Sequence, residues 1–239
     1  MEEPVMPIGI IVNTLAIALG GLIGAKGGSR IPAVLKEKLN LIFGICAMGI
    51  GITSIVLLVN LPAVILALIL GTILGLCTHL GQHIERACVK LSRLFPAPKN
   101  GTDTALLVTT IVLFCSSGTG IYGSIVSGMS GEHSILIAKS VLDFFTAMIF
   151  ACTLGAVTAA VAIPQFVIFF ALFLCAKLIF PLTTPTMIAD FKAVGGLIML
   201  ATGFRITKIK DFPIADMIPA MLLVWPLSWM WTAWILPLL

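Results

Sequence analysis

Lys139 and Asp143 stand four residues apart inside the apolar run that begins at Ser134. On a helix that spacing puts an ammonium and a carboxylate on one face, close enough to pair. Just upstream, eleven of the sixteen residues 116–131 are Gly, Ser or Thr. Five of them are glycines, each weakening a helix by about 1 kcal/mol relative to alanine, so a broken or loosely wound segment is expected there. The hydroxyls of Ser116, Ser117, Thr119 and Ser124, the backbone at Gly118 and Gly120, and the carboxylate of Glu132 join Asp143 and Lys139 as a candidate substrate- or ion-binding set. Such groups ligate small solutes and exchange protons or cations. Close helix packing through small residues is the other use of the same composition. Neither G-x-S-x-G nor H-E-x-x-H occurs, so the sequence reads as a non-enzyme without cofactor or metal.

The elements that must hold these residues follow from composition. Of the 239 residues 59% are apolar and 10% charged, against roughly 25% charged in an ordinary soluble domain. With about 20 residues per crossing, the apolar runs place spans near 8–25, 39–59, 61–81, 104–128, 136–158, 162–182, 188–206 and 214–236. The fold class is therefore all-α: a polytopic membrane protein of about eight transmembrane helices, with the lipid bilayer as its principal partner. The net charge of +4 is spread over several loops, which argues against a nucleic-acid partner. A homo-oligomer stays open.

Sidedness follows from the basic residues. Lys26, Arg30, Lys36, Lys38, Arg86, Lys90, Arg93, Lys99, Arg205, Lys208 and Lys210, eleven of the 14, fall on one side of an eight-span topology, and Glu2, Glu3 and Glu132 on the other. The positive-inside rule makes the first side cytoplasmic and turns both termini outward. Glu2 and Glu3 precede the first span and Lys26 and Arg30 follow it, the reverse of a secretory signal. Trp225, Trp229, Trp231 and Trp234 all lie in the last span, mostly toward its outer end, as interfacial rings prefer.

A seven-residue glycine spacing recurs, Gly44 to Gly51 and Gly196 to Gly203, each followed by a Pro-Ala step at Pro62-Ala63 and Pro219-Ala220. Residues 1–81 and 162–239 then read as two three-helix units of opposite orientation flanking a central broken-helix pair at 104–158. That is the inverted repeat common among secondary transporters.

Several polar residues read as structural. Asn13 and Thr14 suit interhelical hydrogen bonds, and Lys139 and Lys177 lie near outer ends where they can snorkel. Thr183, Thr184, Thr186 and Asp190 suit a polar outer loop. Gly118, Gly120 and Gly123 with Asp143 match the dinucleotide fingerprint in spacing, but that motif needs a strand-turn-helix unit, and these lie in membrane spans. His79 and His83 share a helical spacing without further ligands. The cysteines form no CxxC pair and read as packing residues.

Three runs carry a family resemblance: Leu113-Phe-Cys-Ser-Ser-Gly-Thr-Gly120, Gly128 through Ala147 with its Lys-Ser-x-Leu-Asp step, and Pro181 through Gly196. Together they resemble the YqgA family of bacterial inner-membrane proteins, whose function is unknown, over the whole chain. That family places Asp where this chain has Glu132, one methylene longer. The resemblance implies a multi-pass helical fold in a bacterial cytoplasmic membrane, with both termini periplasmic by the charge count above. It implies no activity.

The residues themselves lead to a secondary transporter of a small solute or ion, with Asp143 as the coupling or cation-binding carboxylate, Lys139 as its partner or an anion contact, and the hydroxyls as substrate ligands. A passive channel and a non-transporting structural or regulatory membrane protein are the alternatives.

Overall fold

The computed structural model describes residues 6–27, 32–92, 104–115 and 117–238. Among them all regular structure is helical. The chain runs through α1 (Ile8–Gly27), α2 (Ala33–Ile55), α3 (Leu61–Cys77), α4 (Leu80–Ser92), α5 (Thr104–Cys115), α6 (Gly118–Ser130), α7 (Ser134–Leu154), α8 (Val157–Ala160), α9 (Ala162–Ile179), α10 (Pro185–Ile206), α11 (Ile214–Met217) and α12 (Ala220–Met230). Among the described residues six helical stretches are long and apolar enough to cross a membrane, or seven if α3 and α4, bent by 60° at their junction, count as one. The bend falls at His79, whose φ of 51° is unusual for a side-chain-bearing residue. The region expected to span at 104–128 consists instead of α5 and α6, of 12 and 13 residues, each too short to cross alone. Beyond the bend, residues expected in a polar loop form α4, where Leu80, Ile84, Ala87 and Leu91 recur at helical spacing among Gln82, Glu85, Arg86 and Lys90. That is the pattern of a helix lying in a membrane surface.

Contacts divide the chain into two compact units, Met1–Asn40 with Ile84–Leu178, and Leu41–His83 with Ile179–Leu239. In the first unit α1 and α7 run parallel. Gly9 meets Leu136, and Cβ atoms on Gly20 and Gly24 would overlap the carbonyl oxygens of Phe144 and Met148. Gly21 likewise admits the backbone of Ala159 in α8. Beside this seam Ile17, Leu107, Ile111, Phe114, Ala147 and Leu154 form a buried apolar cluster.

The second unit contains an antiparallel crossing of α2 and α10. A Cβ on Gly51 would lie 2.7 Å from the Gly196 carbonyl oxygen, and one on Gly196 would lie 2.6 Å from that of Gly51. Gly44 and Gly203 are related in the same way, at 3.0 and 2.7 Å. The two glycine pairs noted in the sequence are thus opposite halves of one contact. Small residues let the backbones approach where lipid gives no hydrophobic drive to associate. Gly51→Ala and Gly196→Ala are each expected to cost about 1–3 kcal/mol, and their combination less than the sum, because both open the same crossing. Gly49, with no neighbour within 4 Å, is the control. Gly49→Ala should leave stability unchanged or raise it by up to about 1 kcal/mol, and thermal unfolding in detergent compares the three.

Candidate functional site

The glycine-rich segment is a helix with its break in front. Ser117 caps α6, its hydroxyl accepting from the Gly120 N–H at 3.1 Å. At the other end Gly131, with φ 69°, supplies the left-handed cap. The glycines are filled by neighbours: the Phe169 ring occupies the space a side chain on Gly120 would need, Leu136 and Ile135 that of Gly123, and the Phe173 carbonyl that of Gly128. Tertiary packing against α7 and α9 therefore overrides the low helix propensity. The hydroxyls are largely used within this segment. Ser124 donates to the Gly120 carbonyl at 2.7 Å and Ser130 to that of Val126 at 3.0 Å. Ser127 bonds the His133 ring at 2.8 Å.

Lys139 and Asp143 do meet. The ammonium lies 2.5 Å from Asp143 Oδ2, and the two side chains are 5% and 9% exposed. Lys139 thus runs along α7 to its partner and does not snorkel. Asn13 of α1 donates to the same carboxylate oxygen at 2.8 Å. Gln165 of α9 donates to Asn13 Oδ1 at 2.8 Å, and the Thr14 hydroxyl lies 3.0 Å from Gln165 Oε1 and 2.8 Å from the Ile10 carbonyl. An ion pair and two amides, all buried, thereby tie α1, α7 and α9 together. The expected interhelical role of Asn13 and Thr14 is what the structure shows. Capacity remains: among the described residues Asp143 Oδ1 accepts no hydrogen bond, and Lys139 spends one of its three N–H donors.

Asp190 is the contrasting case. Expected in a polar outer loop, it lies within α10 and is fully buried, while Thr184 caps that helix. Its Oδ1 accepts from the N–H groups of Val59 and Asn60 at 3.0 and 2.8 Å. Its Oδ2 accepts from Asn60 Nδ2 at 3.0 Å and the Ser228 hydroxyl at 2.7 Å. Four neutral donors fill all its acceptor sites. The carboxylate fastens the turn entering α3 to α10 and α12, and Asn60 Nδ2 extends the network to Thr232 at 3.1 Å.

The structure therefore pairs Lys139 with Asp143 and links Ser117 and Ser124 to Gly120 of α6, as two separate sets. Thr119 and Ser124 are buried in α6, and among the described residues no α6 hydroxyl hydrogen-bonds Lys139 or Asp143. Glu132 is exposed in the turn before α7, accepting from the Ser134 hydroxyl at 3.0 Å. Gly118 opens α6. Ser116 and the Lys177 side chain lie outside the described residues. Sequence reasoning missed Gln165, Asn60 and Ser228, whose signal was an isolated polar side chain in or beside an apolar run. No group of three or more His, Cys, Asp or Glu among the described residues could hold a metal ion.

His133, in the turn between α6 and α7, has its pKa lowered from the ordinary 6.5 by desolvation. The unfolded chain therefore takes up a proton before the folded one, so this group's contribution is complete above about pH 6.5 and is lost as pH falls below it. Thermal unfolding over that window should show stability dropping on acidification in the wild type and a flatter profile for His133→Gln.

Comparison with known proteins places these features. The chain is 48% identical over 233 residues to the "Uncharacterized protein YqgA" of Escherichia coli (strain K12), covering 96% of this chain and 99% of that one. It is 28% identical over 221 residues to the "Uncharacterized membrane protein YdfK" of Bacillus subtilis (strain 168), covering 90% of this chain and 93% of the relative. No solved structure matches it. Residues 8–229, which include both buried carboxylates, match the model of a family described as "Protein of unknown function (DUF554)", and with the near-full-length identity to YqgA the chain belongs to that family.

Proposed function

We propose that this protein is a secondary transporter of a small solute or ion, working in the bacterial inner membrane with both termini periplasmic. The observation that carries the reading is the Lys139–Asp143 pair, buried in a membrane-spanning helix with an oxygen and two N–H groups unspent. Ionisable residues at that depth mark substrate or ion pathways by default.

The arrangement of helices supports it. The α1/α9 and α2/α10 pairs share one register: Asn13 and Gln165 are 152 residues apart, as are Gly44 and Gly196, and Gly51 and Gly203. The ends of α1 and α9, Gly27 and Ile179, and the starts of α2 and α10, Ala33 and Pro185, keep the same interval. Both pairs are antiparallel: α2 and α10 by their glycine contacts, α1 and α9 because Ile10 clusters with Phe169 and Phe173, one and two turns beyond Gln165. An inverted repeat produces this relation, and each unit would contain matching helices from both copies. Because α7 runs parallel to α1, an odd number of crossings separates them. With α2 and α3 supplying two, this relation supports reading α5 and α6 together as one broken crossing, the fourth of eight.

The test is flux. Protein reconstituted in liposomes should move a proton, sodium or a small solute under an imposed gradient. Asp143→Asn, which keeps the size of the side chain, should abolish that movement while the protein still folds. Movement of nothing under any gradient ends the transporter reading, and coupled flux distinguishes it from a passive channel. If Asp143→Asn fails to assemble, the pair belongs to the structural alternative.

A further inference from the structure

We infer that the Lys139–Asp143 site binds a proton and a small monovalent anion together, the proton on Asp143 and the anion on Lys139. The inference deepens the transporter reading and rests on it.

The neighbours of Asp143 decide against a metal cation as its ligand. Its Oδ2 faces two donors, the Lys139 ammonium at 2.5 Å and Asn13 Nδ2 at 2.8 Å. The amide oxygen of Asn13, Oδ1, is turned to accept from Gln165. A hard cation needs several oxygens converging on one point, and here it would meet an ammonium first. A proton needs a single lone pair, and Oδ1 has them unspent.

Charge then couples the two ligands. No Asp, Glu, Arg or His occurs in α1, α5, α6, α8 or α9, which pack on α7 or join this network. Their cations, Lys26 and Lys177, lie in last turns, and their remaining titratable groups are Tyr122, Cys115 and Cys175. The helix α4, whose Ile84 packs on the cluster that includes Ala147 and Leu154, carries His83, Glu85, Arg86 and Lys90, all exposed. On α7 itself Cys152 is the further titratable group, donating to the Met148 carbonyl, and Glu132 and His133 precede the helix. With Lys139 and Asp143 both charged the site is neutral. A proton added to the carboxylate forms an O–H bond, breaks none, and leaves a buried ammonium with no counter-charge, which is costly in this setting. A monovalent anion on the two unused N–H groups of Lys139 restores neutrality, so each ligand favours the other.

The amide chain accommodates both states. With the carboxyl group turned so that its O–H faces Asn13, turning Asn13 end for end presents its own Oδ1 to that proton and Nδ2 to Gln165, and turning Gln165 presents its NH2 to Thr14. The single Thr14 proton then goes to the Ile10 carbonyl, already at 2.8 Å. The whole relay reverses with every link kept.

Purified protein in lipid nanodiscs, weakly buffered with a pH indicator, is titrated with sodium acetate, lactate, nitrate and chloride. At least one anion should bind with uptake of about one proton per anion, its affinity tightening as pH falls by up to about tenfold per pH unit. Asp143→Asn, which fixes the neutral state, should bind the same anion without proton uptake and without pH dependence; Lys139→Gln should not bind it. Binding of none of the four, binding without proton uptake, or loss of binding in folded Asp143→Asn overturns the inference. The wild-type stoichiometry needs no variant, so a misfolded mutant cannot shelter it. Liposome flux without proton-linked binding refutes this inference alone, whereas proton-linked binding without flux refutes the transporter reading alone.

Discussion

Asp190→Asn is expected to cost about 3–5 kcal/mol, enough to leave little folded protein, because it breaks a buried charged network by altering one partner. The native carboxylate accepts from Val59 N–H, Asn60 N–H, Asn60 Nδ2 and Ser228 Oγ. An amide offers one accepting oxygen and one NH2 group, so two of these donors would face another donor. Ser228 can rotate its hydroxyl, but the backbone N–H groups of residues 59 and 60 cannot turn away without moving the start of α3. Asp190→Leu should be at least as damaging, since it strands all four donors. Thermal unfolding of detergent-solubilised protein measures both. A loss below about 1 kcal/mol, the size of a single neutral hydrogen bond, would show that the carboxylate is not the fastening described here.

The second large effect is expected at Lys139. Lys139→Met leaves the Asp143 carboxylate 9% exposed with Asn13 as its one donor, a broken buried pair worth about 3–5 kcal/mol. Removing both charges in Lys139→Met/Asp143→Leu should recover most of that loss, because a buried ion pair is often no more stabilising than apolar side chains of similar volume. The double variant should fold and yet transport nothing. Comparing the two single variants and the double in one thermodynamic cycle gives the coupling energy. Additive losses would mean that the two groups do not depend on each other, and retained flux in the double variant would remove them from the transport pathway.

These two carboxylates show what the sequence could and could not reveal. Lys139 and Asp143 were legible because i and i+4 on one helix is a local relation, fixed by helical geometry once the apolar run around them is recognised. Asp190 was not, because its meaning lies in Asn60 and Ser228, 130 and 38 residues away, and no local pattern distinguishes a solvated aspartate from one held by four donors. The glycines mark the same boundary. Five in sixteen residues do weaken a helix in isolation, yet α6 forms because Phe169, Leu136 and Phe173 occupy the space the missing side chains leave. The Gly44/Gly51 and Gly196/Gly203 spacings were visible in the sequence, but the fact that these pairs face one another was decided in space.

The sequence by itself determined that this chain is helical and crosses a membrane, because the length and apolarity of its runs leave the backbone no other way to satisfy its hydrogen bonds in lipid. It also determined which ion pair lies on a spanning helix. Only the tertiary structure decided which polar groups are spent and which keep capacity, because that depends on donors and acceptors brought together from distant parts of the chain. It left Asp190 with four partners and Asp143 with one oxygen open.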